Sequence, residues 1–459
     1  MSRHVQDERS LALLDNEPSF DEPLGWRGGQ MLSRGRFIAE VKQLAACLPA
    51  GGPVLPMTFD RYRFALVLGA VLLRGQSALM PPNHTPDMVR RLRALFPDAY
   101  VLSDADQPRL DLRTIGFPAA VPGTFDTDMP YVPGAHEVAH VLTSGSTGEP
   151  MPHGKRWDLL VANIRSEARR IADTLGRADL RGVTFVGTVP AHHMYGFEST
   201  VLIALLGGAA FACERPFYAN DIARTLASVP QPRVLVTTPL HLKTLLDAGI
   251  DVPPLDLMIS ATAPLAPQLA ARAEAVLRAP LIEIYGCTEA GQVATRRTVE
   301  GPEWRTFDGV VLCGDGEQVQ VSGGHIEAPT PLADVLEVLT PTRFRLLGRS
   351  NDMINVAGKR SSLAHLNHHL NSIEGVQDGA FWLPPDSGKG DVARLVAVVV
   401  APHLSRESLL AALRERVDAA FLPRRILRTD ALARDATGKL PAGRLADIVA
   451  RLLEEPRHA

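Results

Sequence analysis

Two hydrophobic periods alternate along the first three-quarters of the chain. Phe37, Val41, Leu44 and Leu48 recur at helical spacing, and Gly51-Gly52-Pro53 then opens a short apolar strand over 54–57. The apolar run 61–73 reads as a buried helix, and 77–80 as a strand closed by Pro81-Pro82. Further strands are predicted at 99–103, 138–142, 183–189, 233–237, 257–260 and 281–284, with helices between most of them. This rhythm predicts an α/β fold of mostly parallel sheets sandwiched by helices, with ligands at the carboxyl ends of strands. After Val310 the pattern shifts to short, turn-rich β segments at 319–321, 325–327, 335–339 and 343–347. A compact α/β unit follows from Asn351, with strands at 380–383, 395–400 and about 425–427 and helices at 406–419 and 442–453. The expected organisation is a large domain over 1–350, with a β-rich subdomain at about 310–348, and a small domain over 351–459.

The most informative chemistry lies at Val141-Leu142-Thr143-Ser144-Gly145-Ser146-Thr147-Gly148-Glu149-Pro150. A strand end runs into hydroxyls and glycines, a composition suited to wrapping a polyphosphate with side-chain O–H and backbone N–H groups. It is not a Walker loop, because Glu149 stands five before Gly154 and Arg156 follows Lys155. A Ser/Thr/Gly loop alone is commonly a flexible turn. Three further segments change its meaning: Ile284-Tyr285-Gly286-Cys287-Thr288-Glu289-Ala290-Gly291, then Gly348-Arg349-Ser350-Asn351-Asp352-Met353-Ile354, and finally Thr437-Gly438-Lys439.

Together, from about residue 35 to the end, these segments resemble the adenylate-forming superfamily of acyl-CoA synthetases, peptide-synthetase adenylation domains and luciferases. The resemblance implies that a carboxylate attacks the α-phosphorus of ATP, with Mg²⁺, to give an acyl-adenylate and pyrophosphate. Thr143, Ser144, Gly145, Ser146, Thr147 and Gly148 would hold the β- and γ-phosphates. Tyr285, with Gly286, would stack on adenine, Thr288 would contact the α-phosphate, and Glu289 would bind Mg²⁺. Ala261, Thr262 and Ala263, in a turn similar to SGGAPL, would line the adenine and acyl pockets. Asp334 and Arg349 would hold the ribose, Asn351 would be the hinge, and Lys439 would bridge carboxylate and phosphate as a mobile point charge. His193, Tyr195, Ser199, Thr262 and Gly286 would surround the acyl group.

Several positions depart from the pattern. Met151 replaces the lysine that usually follows the loop proline, leaving Lys155 and Arg156 as candidates for that cation. Leu332-Ala333 precedes Asp334 where Thr-Gly is usual, and Asn355 replaces a lysine. The aspartate that holds a substrate ammonium in the amino-acid-activating branch is not apparent near Phe197-Glu198-Ser199, which favours a plain carboxylic acid. Taken alone, Thr288-Glu289 after a glycine reads as a helix N-cap with its first-turn acid.

Composition narrows the partners. The 48 basic and 51 acidic residues give a net charge of −3, which offers no electrostatic basis for binding nucleic acid. The longest apolar run, 64–73, is too short to span a bilayer, and the charged N-terminus lacks a secretory apolar stretch. Cys47, Cys213, Cys287 and Cys313 have no paired spacing, so a reducing cytoplasm is expected. His365, His368 and His369 fit a surface helix better than a metal site.

The loop without its lysine and the segment 61–83 look like ligases of xanthomonadin and aryl-polyene pigment clusters. Those activate a small aromatic acid, 3- or 4-hydroxybenzoate in type, and load it on the phosphopantetheine of an acyl carrier protein. Alternatives are an aryl- or fatty-acyl-CoA synthetase using free coenzyme A, and a nucleotide-binding protein that has lost catalysis.

Overall fold

The computed structural model describes residues 10–14, 19–104, 110–118, 123–144, 150–316, 318–349, 353–356, 359–384, 395–434 and 440–454. Two large sheets dominate the described residues. One orders its strands Pro150–Arg156, Glu137–Ser144, Ala78–Met80, Val54–Met57, Tyr100–Ser103 and Arg113–Gly116, all parallel except the first pair. The other is an eleven-stranded sheet whose middle, from Leu281–Cys287 through Leu257–Ser260, Arg233–Thr237, Thr184–Gly187 and Ala210–Ala212 to Pro23–Arg27, is parallel. Antiparallel strands finish both of its edges. A third sheet, Val310–Cys313, Gln320–Gly323 and Ile326–Pro331, forms the β-rich part of the large domain. The small C-terminal domain pairs Asp378–Trp382, Val396–Val400 and Arg425–Arg428 against helices Leu363–Asn371, Arg406–Arg414 and Ala442–Glu454. The α/β architecture expected from the periodicity is therefore present.

Local chemistry explains the elements that carry the site. The helix Arg61–Leu73 is capped by the Asp60 carboxylate, which accepts from Arg63 N at 2.9 Å, and it is buried almost all round. The helix Trp157–Thr174 packs an apolar stripe of Leu160, Val161, Ile164 and Ile171 inward, but Asn163 and Glu167 share that stripe one turn apart. From Met194 to Leu206 the chain is helical, and Phe197–Leu202 widens to π geometry. That widening buries Glu198, Ser199 and Thr200 in succession.

Arg61 joins these parts. Its five N–H groups meet five acceptors: Nε to Thr200 Oγ1 at 2.9 Å, Nη1 to Ala212 O and Glu214 O, each at 2.9 Å, and Nη2 to Gly187 O at 3.2 Å and Val189 O at 3.0 Å. Burial pulls its pKa down to about 10, so the group remains charged at neutral pH. Lysine has three donors and cannot serve five acceptors. Arg61→Lys is therefore expected to lower the unfolding free energy by about 2–4 kcal/mol, measured by urea titration. A loss below about 0.5 kcal/mol, ordinary for a surface change, would show that these bonds do not hold the fold.

Candidate active site

The first motif closes an antiparallel hairpin in which Ser144 pairs with Pro150 and Thr143 with Met151. Gly145, Ser146, Thr147 and Gly148 lie outside the described residues, and Thr143 and Ser144 are described in backbone only. Lys155, on the returning strand, donates from Nζ to the carbonyl of Thr288. Burial lowers the Lys155 pKa, opposed by the charges of Glu198, Cys287 and Glu289. Arg156 instead pairs with Asp158 at 2.7 Å and Glu327 at 2.5 Å. Of the two candidate cations, Lys155 is thus the one at the second motif.

That motif forms a hairpin between strands Leu281–Cys287 and Gly291–Arg296, with Thr288, Glu289 and Ala290 in the turn. The local reading of Thr288-Glu289 as a helix cap is corrected: no helix follows, because Gly291 at φ +74° turns the chain straight into the return strand. Gly286 sits at a bulge opposite Gln292, and a Cβ there would lie 2.4 Å from Gly291 O. Only glycine allows that approach. Thr288 is half-buried and Glu289 exposed at the tip. Burial, the largest influence, raises the Cys287 thiol to about 11 and keeps it neutral.

Tyr285 is buried between Trp304 and Phe344, with ring centroids 5.7 and 5.5 Å away, and its hydroxyl donates to Asp334 Oδ2 at 2.7 Å. Asp334 and Arg349 are register partners in the hairpin of Asp334–Thr340 and Arg343–Arg349, which turns their sequence separation into adjacency. The Arg349 side chain, and all of Asn351 and Lys439, lie outside the described residues. Across the cleft, Ala261, Thr262 and Ala263 follow the strand Leu257–Ser260. Thr262 has φ +78°, where the similar motif has glycine, a conformation that costs a β-branched residue about 1–3 kcal/mol. Leu265 N donates to the buried Glu283 at 3.0 Å and fixes the end of that turn.

The segment from Pro190 to Glu198 separates two cavities. Pro190, Ala191 and His192 border one of about 140 Å³, with His84 and Arg215. Burial lowers His192 to about 4, so it is neutral beside His84, 5.8 Å between ring centroids. Met194 and Glu198 border the other, of about 70 Å³, with Lys155, Asn163, Glu289 and Gly291. His193, half-buried, lies between them, its carbonyl accepting from Phe197 N at 2.8 Å. Tyr195 and Ser199 border neither cavity: their hydroxyls donate to Ile259 O at 3.0 Å and to Glu167 Oε1 at 2.6 Å. Sequence reading missed Asn163 and Glu167, although two polar residues one turn apart on an apolar stripe were the signal. Burial pushes Glu167 up to about 7 and Glu198 up to about 8.

The AMP-binding enzyme family matches residues 101–322. The 4-coumarate–CoA ligase of Rhodobacter capsulatus is 32% identical over 279 residues, which are 61% of this chain and 67% of that protein. The chain belongs to the AMP-binding, adenylate-forming enzymes. A salicylyl-CoA synthase (salicylate adenylyltransferase) of Streptomyces is 25% identical over 74% of this chain and 68% of its own length. The O-succinylbenzoate coenzyme A synthetase of Bacillus subtilis, with AMP, shares the fold at TM-score 0.76 and 16% identity, over 95% of this chain and 96% of that one. The activity of this adenylate-forming enzyme is ATP-dependent adenylation of a carboxylic acid, within a family of AMP-forming acid–thiol ligases. No helix among the described residues is long and apolar enough to cross a membrane.

The residues suit ATP and Mg²⁺. The cation keeps much of its water and needs only one or two carboxylates beside the phosphates, and Glu289 offers one at the cleft. Removing the Tyr285 hydroxyl takes a hydrogen bond from Asp334, the carboxylate expected at the ribose. Tyr285→Phe is expected to raise the KM for ATP about tenfold, or about 1.4 kcal/mol, in pyrophosphate release. An unchanged KM would separate the Tyr285–Asp334 bond from nucleotide binding.

Proposed function

We propose that this adenylate-forming enzyme activates a small aromatic acid of the hydroxybenzoate type and transfers it to the phosphopantetheine thiol of an acyl carrier protein in pigment biosynthesis. The supporting observation is that the coumarate and salicylate ligases, named for aromatic acids, are similar over most of their length. We place the acid in the cavity of about 70 Å³ bordered by Met194, Asn163 and Glu198, the acid-side cavity, which suits a compact group better than a long chain.

In the first step a carboxylate oxygen forms a bond to the α-phosphorus and the bond to pyrophosphate breaks. Thr288 receives the α-phosphate, while Lys155 fixes the Thr288 carbonyl from behind and adds positive charge under the turn. Mg²⁺ at Glu289 would neutralise charge on the phosphate oxygens. Lys439 is the cation that bridges carboxylate and phosphate in this step, and Asn351 is the hinge that afterwards withdraws it. In the second step the thiol sulfur attacks the acyl carbon and AMP leaves with the bonding electrons. The thiol approaches along the His192 side, opposite the acid-side cavity, with His193 between.

The carrier protein is supported by the likeness of the lysine-free loop to the pigment-cluster ligases and by exposed Arg424 and Arg425 on the small domain. Such cations speed encounter with an acidic partner. Free coenzyme A is the second reading, favoured by the names of the relatives. The test incubates enzyme, ATP, Mg²⁺ and 3-hydroxybenzoate with holo carrier protein or with coenzyme A at equal concentration and follows the thioester by mass. Faster acylation of the carrier is expected. Equal or faster acylation of coenzyme A would make the protein an aryl-CoA synthetase.

A further inference from the structure

Two buried carboxyl groups stand beside the acid-side cavity, and the reaction chemistry uses neither. Glu198, 3% exposed, lines it and accepts from Asn163 Nδ2 at 2.7 Å. Glu167, fully buried, lies one layer behind and accepts from Ser199 Oγ at 2.6 Å, and Ser199 Oγ in turn accepts from Gln292 Nε2 at 3.1 Å. With Glu167 ionised, the single Ser199 proton goes to Glu167 and the Gln292 amide presents its N–H to Ser199. On the three amide and carboxyl side chains the atoms left without a partner are oxygens, Asn163 Oδ1, Glu167 Oε2 and Gln292 Oε1, and the imidazole of His325 borders the same cavity. These oxygens sit on residues no more than 3% exposed, where an unmet acceptor is costly.

The wall is also adjacent to the chemistry. Gln292 is the register partner of Gly286, and Gly291 that of Cys287, so Gln292 stands on the strand paired with the second motif. The space in front of it is kept open by Gly291, whose missing Cβ would lie 3.5 Å from Glu198 Oε1 and 3.6 Å from Asn163 Nδ2. Lys155, also at this cavity, is already bonded to Thr288.

We propose that Glu198 and Asn163, backed by Glu167 and Gln292, are the specificity-determining wall of the acid pocket, and that they select an aromatic acid bearing a hydrogen-bond-donating ring substituent, a hydroxyl or an amine. This rests on the reading of the protein as an aromatic-acid ligase and narrows it. Burial holds both carboxyls above the usual carboxylate range, so neither need carry a full buried charge, and a protonated group keeps its carbonyl oxygen as an acceptor. An isosteric methyl group leaves the acceptors unmet.

The test measures kcat/KM for pyrophosphate release with benzoate and with benzoates carrying hydroxyl, amino, methyl or carboxylate groups at each ring position. Wild-type enzyme should prefer the hydroxyl or amino acid over the methyl isostere by at least about tenfold at one ring position. Glu198→Met, close in volume and without acceptors, should reduce that ratio to about threefold or less. Glu198→Gln, which keeps one acceptor oxygen, should retain most of it, and thermal melting of both variants reports folding. No donor preference in the wild type at any ring position, or an undiminished ratio in Glu198→Met, overturns the assignment. Turnover of benzoate and the methyl acids by the wild type as fast as the hydroxy acids leaves the aromatic-acid reading standing and removes the wall. Turnover of aliphatic acids alone removes both.

Discussion

The guanidinium of Arg61 is the constraint on which the candidate site hangs. It has no carboxylate among its five hydrogen-bond acceptors and is held by four carbonyls and one hydroxyl. Two of those carbonyls, on Gly187 and Val189, end the strand that leads into Pro190–Glu198. Two more, on Ala212 and Glu214, lead to Arg215 at the cavity bordered by His192. The hydroxyl of Thr200 belongs to the π-helical stretch that also carries Glu198 and Ser199. One buried cation thus sets the relation between both cavities and the segment dividing them. The carbonyl dipoles take the role a buried carboxylate would otherwise play, without a second charge to desolvate.

The hairpin of the second motif concentrates the chemistry for a different reason. The contact of Gly286 with Gly291 brings two strands too close for any side chain, and the short turn then places Thr288 and Glu289 at its tip. Tyr285 points back into the aromatic cluster and reaches Asp334, while Gln292 faces the buried carboxyls. The groups expected at the nucleotide and those proposed at the acid therefore alternate along one ribbon. Lys155 secures the turn from the neighbouring sheet.

Much of this was legible in the sequence. Strands over 54–57, 233–237 and 257–260 coincide with the observed ones, because uninterrupted β-branched and aliphatic runs between turn residues are buried on both faces. The fifteen-residue separation of Asp334 and Arg349 proved to be a hairpin register. The strand Pro150–Arg156 was not legible: Pro150, Pro152 and Gly154 read as loop, yet an edge strand needs N–H groups on one side only and tolerates proline. Pro23–Arg27 and Gln30–Ser33 were missed because their signal is only Gly28-Gly29, a two-residue turn at φ +54° and +82°. The π-helical stretch was hidden because burial all round leaves no periodicity to read. The acceptor wall escaped because its members come from three distant segments, and only folding shows that Asn163 meets Glu198 and Gln292 meets Ser199.

The central claim, adenylation of a small aromatic acid, is tested most directly without any thiol present. Enzyme, ATP, Mg²⁺ and 3-hydroxybenzoate are mixed, and the products are identified by mass spectrometry with pyrophosphate followed in parallel. The account predicts hydroxybenzoyl-AMP retained on the protein and pyrophosphate released in about equal amount to enzyme. ADP and phosphate as products, or no adenylate from any aromatic acid, would contradict it.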